Sequence, residues 1–254
     1  MENYDMIFKR KSFHLFRNIG DESLTTEELA DIKAYFSKVV PLNKDIKVKM
    51  IIDKDNNTCH RGQEYCILFY SEEKDNYLQN IGYIGEQIDL YLTSKNIATL
   101  WFGIGRVKEK VVDGLHYVIM IAIAKASNVD NFRKDMFKSK RKNPSEVWKG
   151  DKYLDIANIV RFAPSACNSQ PWQVVENGNF LEVYRQRKDG KVGIMPKGAA
   201  NYYNQIDIGI FIYFLDLCLN HNNILYERVN FLESKDEYGN LLNAKYILKI
   251  KIHP

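Results

Sequence analysis

The sequence predicts an α+β protein built from two consecutive copies of one pattern: helix, strand, strand, long helix, strand, strand. Three observations predict it. Segments of helical period alternate with β-branched runs in the same order twice along the chain. The two long helical segments also share residues. Setting 80–97 beside 207–224 gives seven identities in eighteen positions, pairing Ile81 with Ile208, Gly82 with Gly209, Asp89 with Asp216, Leu90 with Leu217, Leu92 with Leu219, Asn96 with Asn223 and Ile97 with Ile224. Finally, 254 residues that are 45% hydrophobic and 27% charged have the balance of a globular chain able to bury a core without staples.

In the first copy, Thr25 and Glu28 have capping-box spacing, and Leu29, Ile32, Phe36 and Val39 mark one face of a helix that Pro41 is expected to end. The runs "IKVKMIID" and "EYCILFYS" read as strands, followed by the helix at 80–97 and the strands "ATLWFG" and "HYVIMIAIA". In the second copy "IANIVRFAP" matches "AYFSKVVP" in helical pattern and terminal proline, a strand starts at Trp172, and "YILKIKI" answers "YVIMIAI". Ile208–Leu219 is apolar nearly all round, so burial on most faces is expected, against its counterpart from the first copy. Chance likeness between two apolar helices is the simpler alternative, but the shared element order favours duplication. The expected organisation is therefore residues 1–148 and 149–254 as two half-repeats, an internal pseudo-dimer around the long helices, with the single chain acting as the dimer.

Several function classes are excluded. A formal net charge of +4, from 36 basic and 32 acidic residues, is too mild to imply nucleic acid or a membrane surface. The run "RKDMFKSKRK", Arg133 to Lys142, holds six cations in ten residues, yet Phe137 is its only aromatic for stacking bases, so it reads as a solvated linker. Cys59, Cys66, Cys167 and Cys218 have no C-x-x-C spacing, which leaves free thiols in a reducing cytoplasm and no metal site. "GIG" at Gly103–Gly105 lacks the third glycine of a dinucleotide fingerprint, and no phosphate-loop or calcium-loop sequence is present. The apolar runs at 117–124 and 208–215 are far shorter than the ~20 residues of a membrane span, and the N-terminus lacks the apolar core of a signal peptide.

Two stretches could carry chemistry. In "FAPSACNSQPW", Phe162 to Trp172, Pro164 stops a helix, Ser165 and Asn168 are turn formers, and Pro171 imposes extended geometry before the next strand. Ordinary turn chemistry accounts for such a composition. The equivalent turn of the first copy, "VPLNKDIK", nevertheless lacks the Ser, Ser and Gln, and that asymmetry points to a ligand at one turn only. Near the N-terminus, "FKRKSFHLF" places Arg10, Lys11, Ser12 and His14 within five residues. If extended, Arg10, Ser12 and His14 share a face opposite Phe13, and a guanidinium with a hydroxyl suits a phosphate. A solvated basic arm is the competing reading.

Taken together, "KRKSFHLF", "TLWFG" after a long helix, the basic run before "NPSEV", and "RFAPSACNSQPW" resemble the FMN-dependent nitroreductase family, in its single-chain, two-repeat branch. The resemblance covers most of the chain, and P-S-x-x-N-x-Q-P-W is its most specific element. It implies a nitroreductase-like α+β fold with FMN at the seam between the halves. Arg10 and Ser12 would then lie near the phosphate and ribityl groups, with Arg141, or Lys140 or Lys142, also reaching phosphate, while Lys11 and His14 would complete the cofactor-binding motif, His14 toward the pyrimidine edge of the flavin. Pro164, Ser165, Ala166 and Asn168 would meet the flavin from the second half. A backbone amide at Phe102 or Gly103 would face flavin N5. The implied activity is hydride transfer from NAD(P)H through FMN to a small planar acceptor such as a nitroaromatic or quinone, with no protein acid or base assigned. A flavin carrier or sensor without efficient turnover, and a cofactor-free scaffold, are the alternatives. His14 stands where the family has a second basic residue, so its charge varies near neutral pH.

Overall fold

The chain starts with a short helix that the sequence pattern had not singled out, α1 (Asn3–Lys9), which buries Tyr4, Met6 and Ile7. The computed structural model describes residues 3–186, 193–195, 198–231, 238–239 and 244–253. These fall into two compact units, Met1–Lys138 and Ser139–Pro254.

In the first unit α2 (Thr26–Phe36) begins at the expected capping box: Glu28 N–H donates to Thr25 Oγ1 at 3.1 Å, and Thr25 N–H donates to Glu28 Oε2 at 3.0 Å. Its end differs from expectation. The helix stops at Phe36, before Pro41, with Ser37 as its cap, so the proline lies in the connection beyond rather than acting as the breaker. β1 (Val48–Asp53) and β2 (Tyr65–Ser71) form an antiparallel pair, and α3 (Tyr77–Ser94) leads into β3 (Ile97–Phe102). The short β4 (Val111–Val112) then turns into β5 (Leu115–Lys125). β5 lies between β2 and β3, giving the order β1-β2-β5-β3 with every pair antiparallel.

The apolar run in β5 follows from that central place. Alternate residues Met120, Ala122 and Ala124 join Phe13, Phe16 and Phe132 in a core on one face, and α3 packs against the sheet. On α3, Gly85 permits close approach: a Cβ there would lie 2.4 Å from Trp101 Cη2, so only a glycine lets the indole cross the helix. Tyr35 of α2 stacks on Tyr91 of α3, with ring centroids 3.8 Å apart.

The second unit begins with α4 (Pro144–Val147) and β6 (Trp148–Lys149), followed by α5 (Leu154–Val160), β7 (Trp172–Asn177) and β8 (Phe180–Gln186). α6 (Ala199–His221) leads into β9 (Tyr226–Phe231), β10 (Tyr238–Gly239) and β11 (Ala244–Ile252). β7, β8, β11 and β9 are joined by antiparallel pairs in that order, and β6 adds a parallel edge. Counting only the four principal strands of each unit, both sheets run first, second, fourth, third. From Ile206 to Leu219, α6 buries nearly every residue, as its all-round apolar sequence requires. Trp172 is fully buried and stacks on Phe211 at 5.0 Å.

Both long helices end on an asparagine in the left-handed region, Asn96 at φ 57° and Asn223 at φ 54°, a conformation that asparagine tolerates better than most residues. Among the described residues no helix is long and apolar enough to cross a membrane, and all four cysteines are free.

Candidate functional site

The N-terminal motif is fixed in the first unit by the edge of its sheet. Ser12 bridges to Thr99 in parallel fashion and Phe13 N–H donates to Thr99 O at 2.9 Å, so the segment runs along β3. Phe13 is buried, Ser12 half-buried and His14 exposed. His14 therefore does not share a buried face with Arg10, contrary to the simple extended-chain expectation.

Arg10 points into the unit. It is only 2% exposed, its Nε donates to Asp89 Oδ2 at 2.7 Å, Glu86 Oε1 lies 3.5 Å from the same nitrogen, and Nη2 reaches Ser12 Oγ at 3.3 Å. Asp89 also accepts from Thr99 Oγ1 at 2.5 Å and from Trp101 Nε1 at 3.0 Å. Burial, reinforced by the neighbouring Asp89, pushes the Glu86 carboxyl well above the usual range, while Asp89 is the carboxyl that the Arg10 guanidinium bonds directly. A phosphate at Arg10 would compete with a carboxylate already in place.

Beside it lies a group of donors with fewer acceptors. Lys11 Nζ donates to Asn131 O at 2.8 Å, and the buried Asn131 Nδ2 has no partner among the described residues. Arg133 N–H donates to Lys9 O at 3.0 Å, while its half-buried guanidinium makes no hydrogen bond or ion pair among the described residues. Burial and repulsion from Arg10 push the Arg133 pKa down to about 10, which still leaves it charged at neutral pH. Cations and amide hydrogens in excess of acceptors suit an oxyanion. The sequence reading noticed the basic run but weighted its far end, Lys140 to Lys142. The signal at Arg133 was its place at the start of that run.

At the other end of β3, Phe102 pairs with Met120, and Gly103 begins the turn in which Gly105 N–H returns to Phe102 O at 3.2 Å. The Arg61 guanidinium lies 5.6 Å from the Phe102 ring centre.

In the second unit the turn following the buried Pro164 is tightly wound. Cys167, Asn168 and Gln170 all have positive φ, at 50°, 54° and 47°, although none is glycine. The left-handed region costs an L-residue roughly 1–2 kcal/mol, less for asparagine, so the surroundings must hold this turn. Gln170 N–H donates to Ser165 Oγ at 3.0 Å. Arg141 Nη1 donates to Asn168 Oδ1 at 2.9 Å, and Asn168 Nδ2 donates to Lys140 O at 3.2 Å. Lys142 N–H donates to Gln170 Oε1 at 2.8 Å, and Lys142 Nζ to Gln170 O at 2.9 Å.

The structure thus brings Arg141 and Lys140 to Asn168. It also shows that the polar side chains of the turn first bond the chain itself. Two further residues were missed by sequence reasoning. On α6, Asp207 Oδ1 accepts from Ala166 N–H at 3.0 Å, and Ser169 Oγ lies 3.0 Å from Asn204 Oδ1 and 3.3 Å from Asp207 Oδ2. The available signal was an aspartate and an asparagine inside an otherwise buried apolar helix.

The geometry repeats between the units at the level of single bonds. In the first, Asn80 of α3 accepts from Asn43 N–H at 2.9 Å, two residues after Pro41, as Asp207 accepts two residues after Pro164. Asp89 accepts from residues ten and twelve positions later, Thr99 and Trp101, and Asp216 does so from Tyr226 and Arg228.

These features define an α+β protein of nitroreductase type, two units each with a long buried helix and a mainly antiparallel sheet. The chain belongs to the family described as "Putative TM nitroreductase", whose model matches residues 2–218. Among solved structures it is similar to a "putative nitroreductase" from Thermotoga maritima, at 18% identity and a TM-score of 0.64, covering 100% of this chain and 95% of that one. A nitroreductase family protein from Clostridium novyi aligns over 52% of this chain and 92% of its own, at 17% identity and a TM-score of 0.39. No curated protein matches the chain.

Proposed function

We propose that this protein is an FMN-dependent oxidoreductase that takes hydride from NAD(P)H and passes reducing equivalents to a small planar acceptor such as a nitroaromatic or quinone. The observation that carries this reading is the surplus of donors at Lys11, Asn131 and Arg133 in a chain of the nitroreductase family. A phosphate monoester supplies the acceptors these groups lack, so the residues fit that end of the cofactor. FMN, when bound, supplies the hydride chemistry; the protein supplies position and charge.

In the first unit, Lys11 and Arg133 would hold the phosphate, and Ser12, oriented by Arg10, would donate to it or to the adjoining ribityl chain. Arg10 itself acts mainly by organising Ser12 and Asp89, because its charge is already matched. A backbone amide at Phe102 or Gly103 would face the flavin ring. In the second unit, the Ser165 hydroxyl accepts from Gln170 and keeps its own hydrogen for a ligand acceptor, while Arg141 fixes Asn168. Pro164 and Ala166 shape that turn, and Lys140 holds Asn168 through its carbonyl. The common strand order and the repeated Asp89 and Asp216 bonds support reading the two units as copies of one half.

The test is a titration of the purified protein with FMN, followed by anaerobic addition of NADH or NADPH. Saturable binding and bleaching of the flavin absorbance by either nucleotide are expected. Binding without bleaching would assign a flavin carrier instead, and no binding would reject the cofactor.

A further inference from the structure

Asp207 is 3% exposed, and among the described residues no ionised side chain offsets its burial. Packed on α6 among the described residues are α5, β7, β8 and the 166–168 turn. Their charged groups are Asp155 and, just past the helix end, Arg161 for α5, Glu176 on β7, Glu182 and Arg185 on β8, and Arg141 and Lys142 against the turn. None is bonded to Asp207 among the described residues. Arg185 reaches Asn201, Arg161 reaches Asn158 and the Lys142 carbonyl, and Lys142 reaches Gln170 and Gln186.

The hydrogen count is more informative than the burial. Ser169 has one hydroxyl hydrogen and faces two oxygens, Asn204 Oδ1 and Asp207 Oδ2. A proton on Asp207 resolves the conflict: Oδ2–H donates to Ser169 Oγ, Ser169 donates to Asn204 Oδ1, and Asp207 Oδ1 still accepts from Ala166 N–H. Turning the Asn204 amide also satisfies the count, since its Nδ2 has no partner among the described residues, but leaves an ionised carboxylate that is buried with only two neutral donors. Burial raises the Asp207 pKa to about 8, which favours the protonated arrangement at neutral pH. In the first unit the same backbone bond is made to Asn80, a side chain that cannot ionise.

We infer that Asp207 is a positioning residue, a neutral carboxylic acid that holds the left-handed Ser165–Gln170 turn in place through Ala166 and Ser169, so that loss of its proton loosens the turn and weakens binding of the ligand it serves. The ligand part rests on the FMN reading above; the proton part does not.

The experiment uses the full-length FMN-free protein and its Asp207→Asn and Asp207→Ala variants from pH 7 to 9. The Ala166 amide resonance of the wild type is followed by NMR and FMN affinity by fluorescence. The wild-type resonance is expected to titrate near pH 8 and FMN affinity to fall about tenfold by pH 9. D207N, which retains an acceptor for Ala166 and a donor for Ser169, should keep wild-type affinity at pH 7 and show neither change; D207A should bind more weakly throughout. A resonance that does not titrate, or D207N indistinguishable from D207A, overturns the inference. Titration of Ala166 in a protein that takes no FMN at any pH supports Asp207 and rejects the cofactor. FMN binding with no pH dependence and no titration does the reverse. If D207A does not fold, wild type against D207N decides.

Discussion

Arg10 donates its Nε–H to Asp89 Oδ2 at 2.7 Å inside the first unit, joining the N-terminal motif to the middle of the long helix α3. Both side chains are almost fully buried, so removing one charge strands the other. Asp89→Asn should therefore destabilise the protein by about 3 kcal/mol, with Glu86 taking over part of the pairing. Urea unfolding monitored by circular dichroism measures this. A midpoint equal to that of the wild type would show that the pair contributes nothing.

Glu86 predicts a pH dependence. Burial, then Asp89, raise its folded pKa above 4.5, against smaller opposing effects from Arg10 and Trp101. The folded state thus keeps a proton that the unfolded chain releases. Its contribution to stability is complete below the unfolded pKa and is lost as pH rises through the folded value. Comparing thermal unfolding from pH 4 upward, Glu86→Gln should remove this component of the slope and change stability little at low pH. An unchanged slope would place the ionised form in the folded protein.

Gly85→Ala should be more costly than its size suggests. The added Cβ would lie 2.4 Å from Trp101 Cη2, and the indole is already tied to Asp89 and Glu86 through Nε1. A loss of about 1–3 kcal/mol is expected, with an altered near-ultraviolet tryptophan signal. Wild-type stability and an unchanged signal would show that the helix and β3 can separate freely.

Arg133 separates the phosphate assignment from flavin binding in general. Arg133→Ala should weaken FMN binding by about 1.5–3 kcal/mol, the usual worth of a charged hydrogen bond, and leave riboflavin binding nearly unchanged. Equal losses for both ligands would indicate a structural role for Arg133.

Much of the fold was legible because its signals are local. The capping box at Thr25, the alternation of strands and helices, and the apolar runs of β5 and α6 each follow from side chains within one segment. Where expectation and structure part, the deciding contact comes from another segment. Pro41 does not end α2, because the helix has already stopped at Ser37. Arg10 carries the residue type of a phosphate binder, yet α3 and the sheet edge bring Asp89 and Glu86 to it from about 80 positions away.

By itself the sequence determined the order of the elements, the family resemblance and the residue types of the two candidate motifs, since hydrophobic period, turn chemistry and motif spacing are all written along the chain. Tertiary structure alone decided which cations are already neutralised and which are available, that Asp207 lies beneath the Ser165–Gln170 turn, and that Arg133 sits beside Arg10. The reason is that a charge's state is set by burial and by its neighbours in space, and those neighbours come from distant parts of the sequence.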